Sequence, residues 1–292
     1  MNKRFDRQDV LVILTIVLLV IITIAGLFSF QTDQSYTVTN QYGHDVVIFG
    51  SGVYAHDSYF RAPIFIGSDA TMLFLTVPLL IIALIRKVKR KTEKSKVLLT
   101  SVLGVVLYYA CSITFGITYN SFHLFYIALF SCSLFAFILS FGTINKASLP
   151  SAQTWVLPAK GVSVFLILSG IALFIAWLPD IIPTVLTGTP LPLIEVYTTE
   201  ITYALDMGII SPLMFACYHL LKKQNGTGYA LLPVMLQLCV VMGVMLPVQT
   251  IFQTLAGIET PIPVLVIKVG IFVVLAVFAA IFNFKFYRHL QD

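Results

Sequence analysis

Residues 69–118, DATMLFLTVPLLIIALIRKVKRKTEKSKVLLTSVLGVVLYYACSITFGIT, decide how the rest of the chain is read. Two apolar runs, 69–86 and 97–118, flank a short hinge that carries Arg86, Lys87, Lys89, Arg90, Lys91, Lys94 and Lys96. Each run has the roughly 20 apolar residues that cross a bilayer. The hinge is too short for a folded domain, so its charge sets topology and touches anionic lipid. A cation-rich loop between two spans places that loop in the cytoplasm.

Working outward, the same reading predicts spans at about 10–30, 122–142, 161–179, 199–220, 228–250 and 263–284, eight in all with the two above. With both termini in the cytoplasm, 16 of the 18 Lys and Arg fall on the cytoplasmic side. Arg61 and Lys268 are the exceptions. The expectation is an all-α membrane protein of eight transmembrane helices, N-in and C-in, forming one polytopic domain over 1–292. The chain is 58% hydrophobic and 11% charged, against about 25% charged in soluble domains. Its net charge of +5 lies in short loops beside apolar runs, which points to membrane lipid and not to nucleic acid as its partner. Cys111, Cys132, Cys217 and Cys239 all fall inside spans, so no disulfide framework is expected. Val10–Phe30 is too long for a signal-peptide core and is expected to stay as the first span.

The first outer loop, about 31–68, is the only sizeable polar piece. Ser35–Thr39 alternates, Gln41–Asp45 carries turn chemistry and Val46–Phe49 resumes, which predicts a β-hairpin. The apolar stretch 62–67 is expected to dip into the interface. The loop at 180–198 is rich in Pro and apolar residues and is expected to be an interfacial or re-entrant cap. Tyr119, Trp177 and Tyr197 lie near span ends, as an aromatic belt would. Both halves repeat one order, two spans with a long outer loop and then two with a short one, without residue-level matches.

Ionisable residues inside spans are costly and mark function or pairing. Glu200, Tyr203 and Asp206 recur every three residues on one side of the sixth span. Lys268 lies at a comparable depth in the eighth, so an Asp206–Lys268 ion pair is expected, either purely structural or part of a pocket, with snorkelling of Lys268 to the outer surface as the alternative. With Asp69 and the polar residues of spans three, four and seven, these predict an outward-facing polar cavity with Asp57 and Asp69 at its mouth. No metal site or cofactor is expected. His44, His56 and His123 are the nearest candidates for ligands, but their spacing matches no tight metal motif. There is no P-loop, GxGxxG or G-x-S-x-G.

Gly52–Phe60 with Gly67-Ser68-Asp69, Thr199–Pro212, Tyr119-Asn120 and Leu129-Phe130-Ser131 resemble a group of bacterial multi-pass membrane proteins of unknown function. The resemblance covers most of the chain. It implies a bacterial plasma-membrane location and singles out Asp57, Asp69, Asn120, Glu200 and Asp206, but it carries no activity. The expected function is binding or transport of a small solute or ion. The alternatives are a membrane-embedded enzyme acting on lipid or envelope material through Asp57, His56 or Asp69, and a sensor or assembly factor using the first loop.

Overall fold

The computed structural model describes residues 6–152, 160–259 and 261–290, with only the backbone of Ala152, Val264, Ile267 and Lys268. Among these residues, eight helices are long and apolar enough to cross a membrane. They are α1 (Arg7–Leu27), α2 (Ala62–Arg90), α3 (Glu93–Gly116), α4 (His123–Thr143), α5 (Lys160–Thr187), α6 (Ile201–Lys222), α7 (Gly226–Leu255) and α8 (Ile271–His289). Successive helices run in opposite directions, which gives the bundle a basic end and an end that carries the hairpin.

Local chemistry sets where the helices start. Asp6 caps α1 by accepting from the Asp9 N–H at 2.9 Å, and Asp9 returns the bond to the Asp6 N–H at 3.1 Å. This reciprocal cap satisfies two donors that the first turn would otherwise leave open. Lys91, at φ 53°, stops α2, and Thr92 caps α3 through the Ser95 N–H.

Three boundaries differ from expectation. Residues 62–67, expected as part of the outer loop, form the first turns of α2, because Pro63 in a first turn lacks only an N–H that has no helical partner there. The first part of the expected 180–198 cap is helical, because α5 continues through Pro179 and Pro183 to Thr187. The last span is preceded by a turn at Ile262–Leu265 and a π-turn at Val266–Gly270.

Two further π-turns, Met72–Thr76 and Asp206–Ile210, interrupt α2 and α6. Pro78 and Pro212 follow them closely. A proline cannot donate to the carbonyl four residues back and its ring crowds that carbonyl. Those carbonyls belong to Phe74 and Gly208, inside the two widened turns. α2 and α6 occupy equivalent places in the two halves, and each has a buried Asp, a π-turn and a following proline.

α7 packs against α2, α3, α6 and α8, and α1 lies against α2 and α4. Gly67 brings α2 onto the backbone of α7, where a Cβ would stand 2.6 Å from the Gln249 Cα. The expected hairpin is present as β1 (Tyr36–Thr39) paired antiparallel with β2 (Asp45–Ile48). Asn40 turns it by accepting from the Tyr42 and His44 N–H groups at 2.9 and 3.0 Å. Residues 57–59 run beside β2, with Phe49 N–H donating to the Asp57 carbonyl and Tyr59 N–H to the Val47 carbonyl. Beneath lies an aromatic core of Phe49, Tyr54, Phe65 and Tyr197, which docks the hairpin on the bundle.

Candidate functional site

The polar residues predicted from sequence fall into two neighbouring groups, and the dipeptide Tyr108-Tyr109 of α3 touches both. Asp69 is fully buried in α2. It accepts from the Tyr54 hydroxyl at 2.6 Å and from the Tyr109 hydroxyl. Gly26 of α1 stands directly against this carboxylate, and a Cβ there would collide with it. Burial, with the negative Asp69 next in weight, raises the Tyr54 hydroxyl well above its ordinary pKa, so it stays a donor.

Asp57 sits in the loop beneath the hairpin and is also fully buried. Its Oδ1 accepts from the Thr118 N–H at 2.9 Å and the Tyr197 hydroxyl at 3.0 Å, while its Oδ2 is buried without a hydrogen-bond partner. Burial lifts its carboxyl to about 7, against the pull of those two donors. Asn120 accepts from the Phe122 N–H at 2.8 Å and shapes the turn into α4. Asp57 and Asp69 therefore do not sit at the mouth of an open cavity. Both lie inside, because tyrosines from distant segments close over them.

Arg61 closes the hairpin end. It precedes α2 and pairs with Glu200, which occupies the cap position of α6. Its Nε lies 3.6 Å from Glu195, it donates to the Leu193 carbonyl at 2.7 Å, and it lies 4.5 Å above the Tyr197 ring. Glu195 also accepts from the Ser58 hydroxyl. Burial raises the Glu195 carboxyl, against Ser58 and Arg61. At the basic end, Lys87 of α2 is held by Asp6 and Asp9 at 2.7 Å each. One helix is thus pinned by ion pairs at both ends.

The deeper group surrounds Asp206. Tyr108 donates to its Oδ1 at 2.7 Å and Trp177 to its Oδ2 at 2.9 Å. The Tyr203 ring stacks on Trp177 at 4.7 Å, and its hydroxyl donates to Asp180 at 2.7 Å. Glu200, Tyr203 and Asp206 therefore share a helix but serve three different partners. The expected Asp206–Lys268 pair involves a side chain outside the described residues, and both Asp206 oxygens already accept hydrogen bonds from other side chains. Beside Asp206 lies a cavity of about 40 Å³ between α3, α5, α6, α7 and α8, lined also by Tyr108, Ser169, Met214, Leu238 and Phe272.

The histidines go to separate places. His56 meets the Tyr36 hydroxyl at 3.4 Å, His123 packs on the Tyr119 ring, and His44 lines an open cleft of about 330 Å³ with Asp45 and Glu195. Among the described residues, no three His, Cys, Asp or Glu side chains gather as a metal site would require.

Sequence reasoning took Trp177 and Tyr197 as belt residues and Arg61 as a stray charge. The structure makes the first two hydrogen-bond donors to buried carboxylates and the third a hub. The available signal was that Arg61 is the single Lys or Arg between Arg7 and Arg86, with Glu195 and Glu200 among the acids further along the chain. No family model, no curated protein and no solved structure matches the chain.

Proposed function

We propose that the chain is a multi-pass protein of a bacterial plasma membrane, with both termini in the cytoplasm, and that it binds and moves a small solute or ion through its polar interior. The observation that carries this reading is the set of three buried carboxylates, Asp57, Asp69 and Asp206, on separate elements. Among the described residues none has an ion-pair partner. Burying a charge costs several kcal/mol per ion. Ionisable groups kept at this cost inside a bundle mark substrate and ion pathways.

The two ion-pair sets fit an occluded conformation. Arg61 with Glu195 and Glu200 bars the hairpin end, and Lys87 with Asp6 and Asp9 ties the basic end. α2 spans between them and contains a π-turn and Pro78, a natural place to bend. The distribution of Lys and Arg supports the orientation.

The test is flux into liposomes that hold the purified chain, driven by gradients of sodium, potassium, ammonium or protons. Wild type should exceed protein-free vesicles for at least one, and Asp206→Asn should still fold cooperatively yet lose the flux. Equal flux in the variant and wild type would defeat the reading. The open cleft beside His44, Asp45 and Glu195 favours a second reading, recognition of an envelope component by the outer loop. That reading predicts a co-purifying partner that is lost when residues 36–60 are replaced.

A further inference from the structure

We propose that the cavity beside Asp206 is a binding site for one small monovalent cation, held by the Asp206 carboxylate and the hydroxyls of Ser169 and Tyr108. The inference deepens the transport reading and rests on it for movement, though not for binding.

The charge argument comes first. Asp206 lies about 8 Å into α6, at ~1.5 Å per residue. Both of its oxygens accept hydrogen bonds, and an indole N–H can only donate. The indole N–H fixes Oδ2 as an acceptor, and two donors converging on one carboxyl favour its ionised form. Hydrogen bonds from neutral groups leave the charge itself unbalanced, and among the described residues no cation balances it.

The second observation is Ser169. Several Ser and Thr hydroxyls in the spans bond back to their own helix, as Thr23 does to Leu19, Ser68 to Ile64, Thr71 to Gly67 and Thr100 to Lys96, whereas those of Ser169 and Thr76 do not. This is how such side chains are normally satisfied where water is excluded. Ser169 is only 4% exposed, its hydroxyl has no hydrogen-bond partner among the described residues, and it lines the same cavity as Asp206. A buried hydroxyl left open in this way costs about 1–3 kcal/mol, and a ligand oxygen or cation in the cavity removes that cost.

Size and wall chemistry then select the ligand. A volume of about 40 Å³ holds about three water-sized bodies, at 10–15 Å³ each. That admits an ion with one or two waters and excludes a sugar or nucleotide. One free carboxylate balances one charge. A divalent ion would leave its second charge unbalanced, because Asp206 is the one carboxylate among the lining residues. The π-turn that starts at Asp206 widens the helix at this point, as such turns frequently do at functional sites.

The chain has two tryptophans, so Trp155→Phe leaves Trp177, whose indole N–H donates to Asp206, as the reporter. The emission and melting temperature of this purified full chain are followed as sodium, potassium or ammonium chloride replaces N-methylglucamine chloride at constant ionic strength. A saturable change in emission with a rise in melting temperature is expected for at least one cation. Asp206→Asn should weaken it by more than about tenfold, and Ser169→Ala, a milder change, by about threefold. No saturable response, or an undiminished one in Asp206→Asn, overturns the proposal. So does a response that appears only after Lys268→Gln, since the lysine would then be the native counter-charge. Saturable binding without flux in liposomes supports the site and removes transport.

Discussion

Replacing Arg61 with Gln should be among the most damaging single changes at the hairpin end. Its side chain and those of Glu195 and Glu200 are only 11%, 14% and 10% exposed. The pair therefore behaves as a buried network, not as a screened surface bridge. At about 4 Å and an effective dielectric near 20, each attraction is worth about 4 kcal/mol before desolvation is counted. Removing the cation leaves two carboxylates with no counter-charge, and breaking such a buried pair costs about 3–5 kcal/mol. For a chain of this length, at about 2 °C per kcal/mol, this lowers the melting temperature by roughly 6–10 °C. The four free cysteines allow unfolding to be followed in detergent with a thiol-reactive dye. Two controls separate charge from packing. Adding Glu195→Gln and Glu200→Gln to Arg61→Gln should recover part of the loss, because it removes the orphaned charges. Acidification should also shrink the deficit of the single variant. Burial already raises the Glu195 carboxyl, so it takes up a proton in the folded state before it does in the unfolded one, and stability rises as pH falls. A drop under about 2 °C, or a triple variant no more stable than the single one, would refute the reasoning.

Asp57 supplies a pH dependence of its own. Burial lifts its carboxyl from 3.8 to about 7. An acid whose folded pKa lies above its unfolded one contributes stability that is complete below pH 3.8 and is lost as pH rises through 7. At 1.36 kcal/mol per unit the full swing is on the order of 4 kcal/mol. Melting temperature should therefore decline between pH 5 and 8, and Asp57→Asn should flatten that decline; an unchanged slope contradicts the assignment. Gly26→Ala should destabilise despite the helix propensity of Ala, because the added methyl strikes the Asp69 carboxylate and lies 3.3 Å from the Tyr54 ring. Overpacking at ~1–3 kcal/mol outweighs a propensity gain of ~1 kcal/mol. Gly142→Ala, where nothing stands within 4 Å, is the matched control. Equal melting temperatures for the two variants would show that Gly26 has room.

The spans were legible because crossing needs only length and apolarity, and both are local. The hairpin was legible from its alternation and the turn residues of Gln41–Asp45, Gly43 among them. The ends of the spans were harder to read. Pro63, Pro179 and Pro183 look like boundaries in a linear reading, yet one sits harmlessly in a first turn and two are carried inside α5. The acids were visible because a charge in an apolar run stands out, and Asp57, Asp69 and Asp206 all proved to be buried. Their partners were not visible. Tyr109, Thr118 and Tyr197 lie 40, 61 and 140 residues from the acids they serve, and aromatic residues near span ends have a ready alternative explanation as belt residues.

The sequence by itself determined eight apolar runs long enough to cross a membrane, the hairpin between the first two, the gathering of Lys and Arg in short loops, and the acids that interrupt the apolar runs. These follow from composition and periodicity over stretches of ~20 residues or fewer. Only the tertiary structure decided that Arg61 is a hub, that Tyr108 and Tyr109 serve different acids, that α2 is pinned at both ends and that a cavity opens beside Asp206. Each of these depends on which helix faces lie against one another. That choice comes from close packing among similar apolar surfaces, and no local pattern in the chain specifies it.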